Sequence, residues 1–404
     1  MKIAIIGGGA AGFFAAIATK ENYPEAQVVI FEKAEKILRK VKISGGGRCN
    51  LTNACPCLSE LAKAYPRGEK SLKKAFQIFN NQDARRWFES RGVPLVIEDD
   101  NCVFPASQNS QSIIDCFLEQ TGKLKIAIKI GRGVKAITPV ADRLQLDFTD
   151  KDAPAEVFDK VIVATGGSPQ KKGLAWLEKL GHKIEDPVPS LFSLMMANET
   201  ITTLMGVVVE NVSVTLQGSK LKAEGPLLIT HWGMSGPVIL KLSSLGARVL
   251  SASGYNTKIQ INWVNQPNND AVMETLDKIV TEHPNKFLIN VRPYLLPDSL
   301  WRYLLAKREF STSKPWRELG RKGLNKLVDI LSNDVYTVSG KTSFKEEFVT
   351  CGGVSRESID FKTMQSRVCK NLYFAGEVMD IDGITGGYNF QAAWTSAFIA
   401  AKLH

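Results

Sequence analysis

At 404 residues the chain is too long for one ordinary core, so two or three domains are expected. With 44% hydrophobic and 23% charged residues it reads as globular, and no run reaches the roughly 18 apolar residues of a membrane span. Seven unevenly scattered cysteines fit a reduced cytoplasmic chain rather than a disulfide framework, and the net charge of +10 would suit an acidic partner.

Residues 2–6, "KIAII", read as a buried strand of a parallel sheet, too short for the apolar region of a secretory leader. Gly7-x-Gly9-x-x-Gly12 follows and opens a small-residue helix. Gly7 suits the tight turn, Gly9 lets the backbone approach a pyrophosphate, and Gly12 allows close helix–strand packing. The helix start, with Ala10 and Ala11, offers free N–H groups and the positive dipole end. "QVVIF" (27–31) is the next strand, and Glu32 comes 20 residues after Gly12. A carboxylate there accepts both ribose hydroxyls of an adenosine and disfavours the 2′-phosphate of NADP. A glycine turn followed by an unrelated surface carboxylate is the plainer alternative.

"SGGGRCNLTN" (44–53) gathers glycines and amides suited to lying against something polar: a nucleotide, a nucleic acid, or a metal held by Cys49, Cys55 and Cys57. Their C-x5-C-x-C spacing lacks the second pair that a tetrahedral site needs, because Cys102, Cys116, Cys351 and Cys369 stand apart. No metal site is therefore expected, and without a CxxC no disulfide reductase chemistry. Basic residues gather at 67–76, at Arg85, Arg86 and Arg91, and along 302–326. Each run alternates with apolar residues such as Phe76, Phe79, Trp87 and Phe88, so these runs read as solvated helix faces rather than a nucleic-acid surface.

"FDKVIVATGG" (158–167) reads as a strand ending in a second glycine turn at Thr165, Gly166 and Gly167. Residues 207–218 and 258–264 alternate like strands, whereas 268–282, 298–307 and 316–332 have helical spacing, with "QPNND" and "TSKP" as loops. At the end of the chain "LYFAGE" is a strand reaching Gly376 and Glu377, and Gly386-Gly387 open an apolar helix. A helix start aimed at a ligand stabilises negative charge. In a flavoprotein that charge is on the N1–C2=O edge of the reduced ring, with Glu377 placed to bond the ribityl chain.

Together "IIGGGAAG", "LRKVKISGGGRCNLTN", "VATGG", "THWGMSGPVILKLS", "TCGGVS" and "FAGEVMDIDGITGGYNFQAAWTS" make the chain resemble the bacterial aminoacetone oxidase/BaiN-type flavoproteins, which are NAD(P)/FAD-dependent oxidoreductases. The motifs keep the family order from residue 3 to residue 396; Cys351 departs from it, since members often carry a small residue there. The resemblance implies an α/β protein with a Rossmann-type FAD-binding domain of the glutathione-reductase type built from both chain ends, an inserted β-rich domain and a small helical domain. The corresponding segments are 1–190, 191–267, 268–332, 333–345 (a return strand) and 346–404.

By the same resemblance, Gly7, Gly9, Ala10, Ala11 and Gly12 would hold the FAD pyrophosphate, with Glu32 and Lys33 at the adenosine ribose. Arg39, Lys40, Ser44, Gly45, Gly46, Gly47, Arg48, Cys49 and Asn50 would line the ribityl and ring side, and Val134 would touch adenine. Thr165, Gly166 and Gly167 lie at the returning strand, and Gly376, Glu377, Asp380, Gly386, Gly387, Tyr388 and Asn389 would close the flavin end. Tyr388 is read as a packing or flavin contact.

His231 is the candidate base or substrate contact, set against the plainer structural role of a histidine beside a tryptophan. The reaction expected is electron transfer through flavin N5 between a small amine or unsaturated ketone and NAD(P)H or O2. No second dinucleotide motif followed by a basic residue is present, which suits transient docking of NAD(P)H at the flavin face, or oxidase behaviour. The rival readings are an RNA-modifying flavoenzyme and a non-catalytic flavin-binding redox sensor.

Overall fold

The structure, a computed structural model, describes residues 1–342 and 349–404. It has two compact units: the described part of the first is residues 1–190 with 349–404, and of the second residues 191–342. The boundary expected near 345 lies outside the described residues.

In the first unit the chain supplies β1 (Lys2–Ile6), α1 (Ala10–Asn22), β2 (Gln27–Phe31), β3 (Ala127–Lys129) and β4 (Lys160–Val163). Then come β5 (Ile184–Ser190), β6 (Val349–Val354), β7 (Leu372–Phe374) and α2 (Tyr388–Ala400). Strands β7, β4, β1, β2 and β3 pair in parallel in that order. The short strands Gln365–Ser366 and Ile359–Asp360 extend the sheet antiparallel beyond β7. Nearly every residue of β7, β4, β1 and β2 is buried, which is why they read as continuous apolar runs rather than alternating ones, whereas the edge strand β3 is not buried. Sequence order reverses between β1 and β4, where Ile6 pairs with Val163, so the turns after both strands open at one edge of the sheet.

Helix α1 is buried without interruption from Ala11 to Thr19 because its alanines let it lie close to the sheet. Its Phe14 meets Trp394 of α2 at 5.6 Å, and Trp394 Nε1 donates to the Leu51 carbonyl (2.9 Å). An antiparallel meander (Val134–Val140, Arg143–Phe148, Glu156–Phe158) packs on β2 through Phe31, 5.1 Å from Phe148 and 5.7 Å from Phe158. Such ring pairs are each worth about 0.5–1.5 kcal/mol beyond their buried area.

Strands β5 and β6 form a separate antiparallel pair with a bulge between Glu185 and Val188. Two glycines of β6 fit there for steric reasons. A Cβ on Gly352 would lie 2.5 Å from the Asp186 carbonyl oxygen, and one on Gly353 2.5 Å from that of Val378.

The second unit is a fully antiparallel sheet. Its order is Asp334–Val338, Thr257–Asn262, Val208–Leu216, Lys222–Thr230, Gly233–Ser235, Leu194–Met195 and Gly340–Lys341. The helices Asn269–Glu282, Asp298–Lys307 and Gly320–Ser332 belong to the same compact unit as the strands. Two glycines of the motif "THWGMSGP" have steric reasons. A Cβ on Gly233 would lie 2.2 Å from the Leu194 carbonyl oxygen, and Gly236 (φ 91°) has Leu228 N at 2.9 Å.

Candidate cofactor site

Three turns meet at the edge where the sheet order reverses. Gly7 adopts φ 119°, and a Cβ there would lie 2.3 Å from the Ala164 carbonyl oxygen, so the turn after β1 presses on the turn after β4. Gly376 (φ 75°) follows β7, and its Cβ would lie 2.8 Å from that of Ala11. Its N–H donates to Ser396 Oγ (2.8 Å), which ties the third turn to α2. Gly12 has no room for a side chain, because a Cβ would sit 1.8 Å from the Gly7 carbonyl oxygen.

Gly9 differs from these. It starts α1 at φ −95°, where any residue fits, and a Cβ on it would meet nothing within 4 Å. No side chain caps α1 and no acid occupies its first turn. The first amides of α1 therefore have no side-chain acceptor, with the positive helix end behind them and open space beside Gly9.

Glu32 follows β2 and is fixed by two backbone donors: Gly8 N–H to Oε2 (2.7 Å) and Ala34 N–H to Oε1 (2.8 Å). Each oxygen keeps a further lone pair for a hydroxyl. Residues 131–134 run beside it, since Arg132 N–H donates to the Glu32 carbonyl (2.8 Å) and Gly131 N–H to that of Ala34 (3.2 Å). Val134 thus begins the meander next to the segment carrying exposed Lys33.

At the other side of the site, loop 44–53 is joined to the start of α2. Gly387 (φ 85°) caps α2, and a Cβ there would lie 2.4 Å from the Thr52 carbonyl oxygen. The Asn50 amide bridges the two, its Nδ2 donating to the Thr52 carbonyl (3.0 Å) and its Oδ1 accepting from Gly387 N–H (3.2 Å). Thr52 Oγ1 donates to Gln391 Oε1 (2.6 Å) in the buried interior. Gly45, Gly46 and Gly47 all take positive φ, and Ser44 Oγ donates to the Val41 carbonyl (2.9 Å). Lys40 Nζ donates to Glu377 Oε2 (2.7 Å) while Thr350 N–H donates to Oε1 (2.8 Å). Thr350 also crowds Gly167, whose Cβ would lie 2.3 Å from its Oγ1; Gly166 (φ 74°) has open space, and Thr165 is exposed, as is Arg39.

Several of these side chains are committed to the protein itself. Arg48 Nη1 donates to Glu98 Oε1 (2.6 Å), and its guanidinium lies over Phe104 at 3.9 Å. Asn389 clasps Gly383, accepting its N–H (2.9 Å) and donating to its carbonyl (3.0 Å). Tyr388 stands edge-on to Tyr65 at 6.1 Å, and burial pushes its hydroxyl up to about 12. Asp380 is buried 3.5 Å from Arg356 Nε. Cys49 is buried at φ 63°, and burial pushes its thiol up to about 12, so it is no thiolate at neutral pH. No disulfide joins any of the seven cysteines, and no cluster of three potential metal ligands forms among the described residues. His231, in the second unit, is exposed in the turn between two strands, 4.3 Å edge-on to Trp232.

The reading of the basic runs as solvated faces needs correction at two positions. Arg67, 12% exposed, pairs with fully buried Asp382 through Nε to Oδ1 (2.6 Å) and Nη2 to Oδ2, and Ser190 Oγ donates to Oδ2 (2.7 Å). Burial pushes the Asp382 carboxyl up, against the three donors around it. Arg91 pairs with Glu21, and its guanidinium lies over Trp87 at 3.9 Å. Arg67, Asp382 and Ser190 were not singled out in the sequence. The available signal was an acid within the apolar stretch "VMDIDGI", with no indication of its distant partner.

Residues 1–403 match the model of the HI0933-like protein Rossmann domain. The chain belongs to this family. It is 27% identical to the 3-dehydro-bile acid delta(4,6)-reductase of Clostridium scindens, over 99% of this chain and 98% of the relative. It is 28% identical to the ribosomal RNA dihydrouridine synthase of Escherichia coli, over 98% of this chain and 96% of that one. Among solved structures, the 3-ketosteroid-delta4-(5alpha)-dehydrogenase of Rhodococcus jostii shares the fold (TM-score 0.51, 10% identity, 99% of this chain and 96% of that one). This HI0933-like protein is an FAD-dependent oxidoreductase with a Rossmann-type FAD-binding fold. Its residues fit the cofactor, since the room beside Gly9 and the uncapped start of α1 are what a pyrophosphate requires. No helix of the described residues is long and apolar enough to cross a membrane.

Proposed function

We propose that the protein reduces a carbon–carbon double bond conjugated to a carbonyl, with NAD(P)H as electron donor. The observation that carries this reading is shared chemistry among the relatives. A delta(4,6)-reductase of a 3-dehydro-bile acid and a dihydrouridine synthase are both named for saturating such a bond. Of the amine and the unsaturated ketone expected from sequence, this favours the ketone-type acceptor.

Bound FAD would supply two-electron transfer at its N5. The chain's own residues would hold and orient it. The amides at the start of α1 take the pyrophosphate, Glu32 takes the adenosine ribose, and the residues around Glu377 border the ribityl chain. The start of α2 after its Gly387 cap, with no acid in its first turn, favours negative charge on the ring. Buried Cys49 stays a protonated wall of the site rather than a redox partner.

A second reading concerns the acceptor, because uridine contains the same conjugated bond. A net charge of +10 favours a polyanionic acceptor over a free steroid-like ketone. Anaerobic reduction of the flavin by NADH and by NADPH, followed by addition of 4-androstene-3,17-dione or uridine-containing RNA, tests both readings. Reoxidation by either acceptor with saturation of its double bond is expected. Colourless protein that takes up no FAD, or turnover only with amines and O2, would overturn the proposal.

A further inference from the structure

Two segments of the second unit are laced together at one surface. Leu288 N–H donates to the Lys314 carbonyl (3.0 Å), Trp316 N–H to that of Lys286 (3.0 Å), and Arg317 N–H to that of Pro284 (3.0 Å). The buried rings of Trp301 and Trp316, stacked 6.4 Å apart, fix this lacing from below. It brings the backbones of Lys286, Lys314 and Arg317 next to that of Phe287, whose ring stays 43% exposed. Helix Gly320–Ser332 follows, burying Leu324, Leu327 and Val328 and leaving Lys322 and Lys326 exposed one turn apart.

The charge here is one-sided. Across residues 283–292 and 310–328, Glu318 is the only acid. Arg302 and Arg321 are neutralised by Asp298 and Asp277, but Lys286, Lys314, Lys322 and Lys326 form no ion pair among the described residues. Arg317 is held by the Asn285 amide (2.6 Å), which orients it without cancelling its charge. Uncompensated cations around an exposed aromatic ring are the elements of a single-strand platform, in which phosphates meet the cations and a base stacks on the ring.

We infer that this surface binds single-stranded RNA, with Phe287 as the stacking ring and Lys286, Lys314, Arg317, Lys322 and Lys326 as the phosphate contacts. The inference rests on the reading above in which the acceptor is an RNA base. A duplex would find no use for the ring, and an anionic membrane would need more apolar surface than one phenyl group provides.

The test uses full-length, FAD-loaded protein and a fluorescein-labelled single-stranded RNA of about 16 nucleotides, followed by anisotropy over a salt series. Replacing Lys286, Lys314 and Arg317 together by alanine should lower the slope of log K against log salt by about 2 and weaken binding at least about tenfold. Phe287→Leu keeps the apolar volume and should weaken binding about fivefold or more with the slope unchanged. Melting temperature and flavin absorbance should stay at wild-type values, because Lys286, Phe287 and Arg317 are exposed and Lys314 is half-buried. RNA binding that is equal in wild type and variants overturns the surface and leaves the RNA reading standing. A wild-type protein that binds no RNA while 4-androstene-3,17-dione reoxidises its flavin overturns both. Preference for duplex RNA, or for phosphatidylglycerol vesicles through the same residues, also overturns the surface.

Discussion

Gly9 and Gly12 stand three residues apart in one motif, yet they are glycines for different reasons. Gly12 is fixed by its neighbours, since a Cβ there would lie 1.8 Å from the Gly7 carbonyl oxygen, whereas nothing in the chain excludes a side chain at Gly9. Gly9→Val should therefore fold with a melting temperature near wild type but bind FAD at least about tenfold more weakly, a loss of roughly 1.4 kcal/mol. Gly12→Ala should lose about 3 kcal/mol of stability or fail to fold, since the opposing atom is backbone and cannot turn aside. Thermal melts and flavin absorbance on the two variants separate these outcomes; a Gly9→Val protein that keeps its flavin would remove the pyrophosphate role. The spacing of these glycines and the acid beyond them was legible, because turn and phosphate chemistry act within a few residues. The fate of Arg48 and Asn389 was not. Their partners, Glu98 and Gly383, are set by tertiary packing, and the same donors on an open loop would have served a ligand equally well.

At the scale of elements, buried His182 links the turn after helix Ala175–Lys179 to the edge of the sheet. Its Nδ1–H donates to the Leu177 carbonyl (3.0 Å), which leaves Nε2 to accept from Ser366 Oγ (2.8 Å). Burial lowers its pKa below the ordinary 6.5, so the folded protein keeps it neutral where the unfolded chain takes up a proton. The stability tied to the neutral form is present above the unfolded pKa and is lost as pH falls through the folded one. Stability should therefore fall as pH drops below about 6.5, and His182→Gln should flatten that fall; melting curves across that range that match wild type would refute the linkage. The strands and helices themselves were readable from periodicity: 298–307 expected against Asp298–Lys307 found, and 268–282 against Asn269–Glu282. The start of the last insertion helix moved from 316 to Gly320, because Trp316–Glu318 take a 3-10 turn after extended Pro315, with the indole in the interior.

At the scale of the molecule, the FAD-binding sheet is completed only by the end of the chain. β7 pairs with β4 from Val161↔Leu372 to Val163↔Phe374, and α2 covers Phe14. Deleting residues 371–404 should therefore give colourless, aggregating protein rather than a partly active fragment. Soluble yellow protein after that deletion would show that the first half of the chain suffices. The meeting of the two chain ends was legible through the family resemblance carried by the glycine motifs at both ends. The Arg67–Asp382 pair was not, since neither residue type announces which distant segment it will face.

The antiparallel pair of β5 and β6 has an evolutionary consequence. Ser190 lies opposite Val349, so the chain leaves the FAD-binding unit and returns to it at adjacent points. The excursion between them can lengthen or be replaced at an entropic cost of only about 0.6 kcal/mol per doubling, with the register of the parallel sheet untouched. A lineage built this way can exchange the excursion while inheriting its FAD-binding unit unaltered.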